Sequence, residues 1–170
     1  MAVNRVRVEM VDREQGRLTV TGHTYVEIDV PPLWVEVAGS QARSGSPDLI
    51  LEGPSVSRGR PRVSVRVRPA GSSLDADGQR VADELTQDDP SALVTSCDVW
   101  PHPVWGEGIV VQSARMDDRT TWARDCYVFQ DGTDVVLFDV ECALEHLLAL
   151  EDQVADIVAH TRPLAGRGVR

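Results

Sequence analysis

The sequence predicts an α+β domain, an antiparallel β-sheet sandwich with two main helices packed on it. Two kinds of apolar spacing support this fold class. The segment Arg62–Arg68 alternates apolar and polar residues, which is the period of a half-buried strand. Leu74–Leu85 and Leu147–Val158 instead repeat their apolar residues at the spacing of an amphipathic helix. Because the order along the chain is strands, helix, antiparallel strands and helix, we expect both helices to lie on one antiparallel sheet.

The amino-terminal part of the chain is predicted to be mostly strand. Pro31 and Pro32 must end a strand, because neither has an N–H to donate to a ladder, and Trp34 after them is expected to cover one end of the core. Residues 39–48 are rich in Gly, Ser and Pro, which indicates an exposed loop. The strands predicted here are Val6–Met10, Leu18–Val20, Tyr25–Val30 and Leu49–Leu51.

The middle of the chain is predicted to form a strand followed by a helix. In Arg62–Arg68 the valines share one face and the arginines share the other. Ser72 or Ser73 is expected to cap the helix that follows. Asp75 and Asp77 lie in its first turn, where the helix dipole favours negative charge. The apolar stripe of this helix consists of Leu74, Val81 and Leu85.

A four-stranded meander and a second helix are predicted for the carboxy-terminal part. Asp131-Gly132 is a two-residue hairpin signal, because a type I′ turn needs positive φ at both positions. Residues 100–106, rich in Trp and Pro, are expected to link two strands, and the last helix to end before Pro163. We expect residues 1–163 to form a single α+β domain and residues 164–170 a flexible tail. The predicted strands are Ala92–Val99, Ile109–Arg115, Thr121–Phe129 and Val135–Val140.

Composition and charge narrow the class of partner. The chain has 170 residues, enough to bury a core without metals or disulfides, and a net charge of −10. Such an acidic protein lacks the basic face that nucleic-acid phosphates require, so we expect no nucleic-acid partner. No stretch approaches the ~20 apolar residues of a membrane-spanning helix, and no apolar signal segment opens the sequence. We therefore expect no membrane insertion and a cytoplasmic location. All 17 basic residues are arginine, which is typical of GC-rich genomes such as those of actinobacteria.

The sequence offers little that points to catalysis. Cys142 and His146 have the spacing of a metal pair on a helix, but a zinc site needs three or four ligands and no second pair follows. Cys126 lies in a predicted strand, where cysteine is usually part of the core, although a distant histidine could act as its base in the folded chain. No glycine-rich phosphate loop, hydrolase motif or zinc-protease motif occurs. We therefore expect a non-enzyme with no catalytic residue, cofactor or metal site.

Two groups of residues are candidates for binding another protein. Arg62, Arg66 and Arg68 share one strand face, and guanidinium groups bind carboxylates through two parallel hydrogen bonds. The alternative is a solvated face whose arginines pair with acidic neighbours. Trp100 and Trp105 flank a proline-rich link, and aromatic side chains anchor many interfaces. The alternative for these tryptophans is that they cover one end of the sheet.

Several segments, taken by their order and spacing, resemble a known fold. They are Pro32–Trp34, Val63–Val67 with the helix Leu74–Leu85, Gly108–Val111, Tyr127–Gly132, Val135–Phe138 and Leu150–Val158. This arrangement resembles the Mog/PsbP-like fold, in particular the LpqN-like proteins of actinobacteria and the DcrB-like family, which includes the Eag chaperones of type VI secretion. The resemblance implies a non-enzymatic domain that binds partners, assists assembly or acts as a chaperone. LpqN-like proteins usually carry a lipoprotein signal, and its absence from this sequence favours an intracellular role.

The function expected from the sequence is therefore that of an adaptor or chaperone for another protein, either a secreted effector or a membrane-protein segment, with homodimerisation left open. In this interpretation the sheet surface that the helices leave uncovered is an apolar groove that holds the partner. Two alternatives remain. One is a structural subunit of a phage-like or injection-system-like assembly, and the other is a small-molecule-binding or cryptic enzyme domain with an enclosed polar pocket.

Overall fold

The strands and helices follow the predicted order. The computed structural model describes residues 17–21, 25–37, 48–56 and 59–163. The helices are α1 (Leu74–Asp88) and α2 (Leu147–His160), the second preceded by a 3₁₀ turn at Leu144–His146. The strands are β1 (Arg17–Thr21), β2 (Tyr25–Asp29), β3 (Val35–Val37), β4 (Leu49–Glu52), β5 (Arg62–Pro69), β6 (Leu93–His102), β7 (Gly106–Asp117), β8 (Thr120–Asp131), β9 (Asp134–Ala143) and β10 (Arg162–Pro163).

The described strands form two antiparallel sheets, as a sandwich requires. The main sheet has seven strands in the order β3-β4-β5-β9-β8-β7-β6, and the small sheet has three in the order β1-β2-β10. Strands β6 to β9 form a meander of successive hairpins, and β5 joins it by pairing with β9. The predicted α+β class with two helices on an antiparallel sheet is confirmed.

The two helices cover opposite faces of the main sheet. On the first, which we call the α1 face, α1 packs on the centre of the sheet through Val81, Leu85, Ile109, Val111, Val128 and Leu137. On the second, the α2 face, α2 and the small sheet bury the larger core, whose bulkiest residues include Ile28, Leu51, Phe129, Phe138 and Ile157. Among the described elements, α1 is the one helix that packs on the α1 face, and beside it the described part of the chain leaves an open depression.

Local signals account for the ends of α1 and for the position of Trp34. The N–H of Ala76 donates to Ser73 Oγ at 3.2 Å, so Ser73 rather than Ser72 is the N-cap. Trp34 is buried at the end of the core, as predicted, and its Nε1 donates to Gln153 Oε1 on α2 at 2.9 Å. Asp77, predicted to act through the helix dipole, is fully buried and bonded to other elements.

The meander strands are longer than the sequence predicts, and two short strands were missed. The predicted link at residues 100–106 is wrong, because β6 continues to His102 through Pro101. Since β6 lies at the edge of the main sheet, a proline there can turn its missing donor to solvent. Strands β3 and β10 have three and two residues, too few for a period to be recognised.

The hairpin between β8 and β9 differs from the predicted turn by one residue. Asp131 pairs with Asp134, so the two central residues are Gly132 and Thr133. Gly132 has φ of +61°, whereas Thr133 does not have positive φ. Positive φ at the first central position only is the pattern of a type II′ turn, not of the predicted type I′ turn.

Some sequence predictions lie outside the described residues. These are the strand Val6–Met10, most of the loop at 39–48 and the tail at 164–170.

Candidate functional site

The structure separates the two predicted groups of binding residues. Arg62, Arg66 and Arg68 pair across β5 with residues of β9 and lie on the α1 face. Trp100 and Trp105 pack against the core of the opposite, α2 face. The arginines and the tryptophans therefore do not form one surface.

Two of the three predicted arginines form an ion pair with an acidic side chain of the described residues. Arg62 is exposed and its Nη2 lies 3.2 Å from Glu52 Oε1 on β4. Arg68 donates from Nη1 to Glu84 Oε1 on α1 at 2.5 Å, which ties β5 to the helix. The alternative of arginines paired with acidic neighbours therefore describes Arg62 and Arg68.

Arg66 differs from its two neighbours on the strand. Its side chain is half-buried and its Nε is buried without a hydrogen-bond partner, which is also true of Nε and Nη2 of Arg68. Within the described part of the chain, Arg66 differs because it has no ion pair like those of Arg62 with Glu52 and Arg68 with Glu84. The charge of Arg66 acts on Asp48: burial raises the pKa of the Asp48 carboxyl, while the hydrogen bond from the Val67 N–H and the Arg66 charge lower it. Buried polar groups are nearly always hydrogen-bonded, so an unbonded guanidinium nitrogen marks a place where an acceptor is expected.

Arg66 lines a depression that we call the α1 cleft, between α1 and the neighbouring strands β5 and β9. The cleft is partly open to solvent, and its volume is about 40 Å³. One wall is α1 and carries Glu84 and Asp88, and the other wall carries Arg66. The floor and ends are formed by Ser64, Val81, Leu85, Arg124, Cys126, Leu137 and Asp139.

One end of the α1 cleft is fixed by a pair of charges that the sequence did not suggest. Arg124 on β8 donates from Nε and Nη2 to the two oxygens of Asp139 on β9, at 2.8 and 2.7 Å. The hydrogen bond to Asp139 raises the pKa of Arg124. Beside this pair, Arg115 donates to Glu141 at 2.7 Å and lies over the Trp122 ring. These paired charges hold the rim of the cleft in place and leave Arg66 available.

Cys126 on the floor of the cleft is poorly suited to act as a nucleophile. Its thiol is 5% exposed and donates towards Asp139 Oδ1 at 3.7 Å. Burial, followed by the charge of Asp139, raises the pKa of this thiol well above its ordinary value. A reactive cysteine needs a lowered pKa, so Cys126 is held as a neutral thiol.

The spacing considered for a metal site is not realised. Cys142 is buried in β9, where burial raises the pKa of its thiol to about 11, and His146 lies in the 3₁₀ turn rather than on the same helix. In the described part of the chain, no three His, Cys, Asp or Glu side chains are grouped so that they could hold a metal ion.

Trp100 and Trp105 pack against aromatic residues of the core. The Trp100 ring meets Tyr127 edge-on with centroids 5.0 Å apart, and the Trp105 ring stacks on Phe129 at 5.3 Å. Both tryptophans are half-buried, which agrees with the alternative that they cover one end of the sheet.

His102 holds this aromatic end of the sheet against α2. Its Nδ1 accepts the N–H groups of Val104 and Trp105 at 3.1 and 3.2 Å, and its Nε2 lies 3.0 Å from the carbonyl oxygen of Val158. These partners require a neutral ring with the proton on Nε2. Burial lowers the pKa of His102 below its ordinary value.

This environment predicts a pH dependence of stability. Because the pKa of His102 is lower in the folded than in the unfolded chain, the unfolded chain binds more protons just below pH ~6.5. We expect the free energy of unfolding to fall as the pH drops below that value, until the folded pKa is passed. His102→Gln keeps a donor and an acceptor but does not titrate. Measured by urea unfolding, the free energy of unfolding should therefore fall more for wild type than for His102→Gln between pH 7.5 and pH 5.5. An equal fall in both proteins would contradict this account.

Comparison with known proteins concerns the fold. No family model matches the chain, and no curated protein sequence matches it. The cyanobacterial PsbP protein of Synechocystis superposes with a TM-score of 0.60 and 10% identity over 96% of this chain and 95% of its own. The chain has the Mog/PsbP-like fold. LpqN of Mycobacterium tuberculosis, a protein involved in cell envelope biogenesis, superposes with a TM-score of 0.60 and 12% identity over 94% of this chain and 92% of its own.

These likenesses confirm the predicted resemblance at the level of fold. With 10% and 12% identity they extend to the Mog/PsbP-like architecture and not to the chemistry of a site. Among the described helices, none is long and apolar enough to cross a membrane. The side chains of the α1 cleft therefore have to carry the argument about function.

Proposed function

We propose that this chain is a non-enzymatic protein-binding domain that acts in the cytoplasm as an adaptor or chaperone for a secreted or membrane-associated partner. The observation that carries the proposal is Arg66, a half-buried arginine in an open cleft whose Nε has no acceptor. The Mog/PsbP-like fold agrees with a binding role, since proteins resembling it include chaperones and assembly factors.

The chemistry of the α1 cleft suits a segment that carries a carboxylate. A carboxylate placed at Arg66 gains charge-assisted hydrogen bonds, which are about twice as strong as neutral ones. The opposite wall carries Glu84 and Asp88, so a basic group on the same segment would face acidic side chains. Between the walls, Val81, Leu85 and Leu137 offer an apolar floor. A peptide segment with an acidic and a basic residue on either side of a small apolar one fits this pattern.

The neutral thiol of Cys126 supports binding over catalysis. Cys126 lines the cleft together with Ser64, and burial keeps its thiol protonated. The same cleft is the place where a small carboxylic acid would bind if the ligand were not a peptide. Either ligand would depend on Arg66.

The proposal is tested by comparing two arginines of one strand. Arg66→Gln removes the guanidinium from the cleft, whereas Arg62→Gln removes an exposed arginine that is paired with Glu52 on the same face. We expect wild type and Arg62→Gln to capture the same partner from a lysate of the native host, and Arg66→Gln to bind it about 10- to 100-fold more weakly. Calorimetry with the purified partner measures the dissociation constant of each variant and therefore this factor.

Three outcomes would contradict the proposal. Equal binding by wild type and Arg66→Gln would show that the partner does not bind at Arg66 in the cleft. An equal loss of affinity in Arg62→Gln and Arg66→Gln would show that the partner responds to the positive charge of the strand and not to Arg66 in particular. Recovery of a small acid by mass spectrometry, with no protein captured, would favour the small-molecule alternative.

A further inference from the structure

Strand β6 is a long exposed edge of the main sheet. Among the described strands it pairs only with β7, and it runs for ten residues, Leu93–His102. A β-bulge between Val94 and Ser96 and a proline at position 101 limit the regular part of this edge. Between them the exposed side chains include Cys97 and Val99, the latter 63% exposed. A regular strand edge with exposed apolar side chains is a template for another strand.

The backbone groups of Cys97 and Val99 point away from the sheet. Pro101 pairs with Glu107 of β7, and because it has no N–H its backbone is placed where no donor to β7 is needed. Residues two apart in a strand direct their N–H and C=O groups to the same side. The N–H groups of Cys97 and Val99 are therefore on the outer side of β6, where a second strand would accept their hydrogen bonds.

We propose that two copies of this chain pair antiparallel through residues 95–99 of β6, with Cys97 opposite Cys97 of the second copy. The ten residues of β6 contain one charged side chain, Asp98, although 26% of the chain is charged. Depletion of charge at an exposed surface is characteristic of interfaces between copies of one protein. In the proposed register Asp98 faces Ser96 of the second copy, so no charge lies directly opposite a like charge.

The bulge and the proline explain why such pairing stops at two copies. They leave only a short stretch open on each edge, and antiparallel pairing of two identical stretches around a two-fold axis uses both. The other edge of the main sheet, β3, has three residues. The pairing is therefore closed and weak, and it does not extend into a fibre.

Cys97 makes the register measurable. Directly opposed, hydrogen-bonded residues of antiparallel strands have Cα atoms about 5.5 Å apart, within the ~4.4–6.8 Å that disulfides span. Added diamide would take two protons and two electrons from the two thiols as the disulfide forms. Cys126 and Cys142 are buried, so a cross-linked dimer should contain Cys97 alone.

The association is tested by sedimentation velocity of the full chain across the micromolar range. We expect a monomer–dimer equilibrium for wild type and Val99→Thr, which keeps the outer N–H, and monomer for Val99→Pro, which removes it. Asp98→Asn should tighten the dimer several-fold, because two Asp98 carboxylates lie diagonally across the pair. Circular dichroism checks that Val99→Pro is folded; should it unfold, Val99→Lys, which charges the same edge, takes its place.

Each result bears on the proposal. A diamide cross-link that Cys97→Ser abolishes, together with the expected equilibria, supports the register. A wild type that stays monomeric, a folded Val99→Pro or Val99→Lys variant that dimerises as wild type does, or growth into polymers would overturn it. These outcomes are independent of capture through Arg66, so either idea can fail alone.

Discussion

Replacing Gly108 by alanine is expected to lower the free energy of unfolding by about 3 kcal/mol, the upper range for forcing extra atoms into a packed core. A Cβ at this position in β7 would lie 2.3 and 2.4 Å from the Cε1 and Cδ1 atoms of Phe129. The Phe129 ring cannot move away easily, because it is fully buried, stacks on Trp105 and meets Phe138 edge-on. Urea unfolding of the purified variant measures the loss.

Two further variants isolate the contact between Gly108 and Phe129. Gly132→Ala adds a methyl group where no atom lies within 4 Å, although φ is +61°, and should cost only about 1 kcal/mol. Phe129→Leu removes the ring that Gly108 supports. If the clash is the cause, the double variant Gly108→Ala/Phe129→Leu should lose less than the two single losses added together. Simple additivity would show that Gly108 is needed for another reason.

Sequence patterns predict the parts of this fold whose residues face the core at a regular period. The valines of β5 alternate and face one core, with Val63 and Val65 fully buried and Val67 partly buried. The stripe of α1 faces the sheet as its spacing indicates. These predictions succeed because burial imposes the period of the strand or helix on the sequence. They fail for β3 and β10, because a strand of two or three residues is held in place by the strand it pairs with and is too short to show an alternating pattern.

The candidate site was harder to predict because it depends on the pairing of distant residues. Arg66 was recognised among three arginines, but nothing in β5 alone distinguishes it from Arg62 and Arg68. That difference arises from Glu52 on β4 and Glu84 on α1, which bind the other two. The α1 cleft itself exists because α1 covers only part of one face.

The charges at the end of the cleft show how sensitive such predictions are to register. Arg124 lies opposite Glu141 and binds Asp139, two residues away along β9. The hairpin turn between β8 and β9 sets this pairing, and moving the turn by one residue, as the predicted Asp131-Gly132 turn does, shifts the partner by two positions. The Arg124–Asp139 pair could have been suggested from the hairpin signal, but its geometry could not.

Asp77→Ala is expected to lower the free energy of unfolding by about 3 kcal/mol, because it removes a buried carboxylate and leaves its partly buried donors without an acceptor. The Asp77 carboxylate is fully buried at the start of α1 and accepts the N–H of Gly71 at 3.0 Å on each oxygen. It also accepts Gln130 Nε2 from β8 at 2.8 Å and lies 3.6 Å from Arg80 Nη1. One side chain therefore joins the end of β5, the first turn of α1 and the main sheet.

Asp75 provides a matched control within the same turn of the helix. Both carboxylates lie in the first turn, where the helix dipole stabilises negative charge by about 0.3–1 kcal/mol. Asp75 is exposed, so Asp75→Ala should cost no more than that amount, whereas Asp77→Ala also breaks the buried hydrogen bonds. Asp77→Asn, which keeps an acceptor for Gly71 but loses the charge, should fall between them.

Equal losses for Asp75→Ala and Asp77→Ala would mean that the dipole alone accounts for both residues and that the buried bonds contribute little. The expected order of the three variants in urea unfolding would instead show that α1 is held on the sheet by Asp77, and with it the wall of the α1 cleft that faces Arg66.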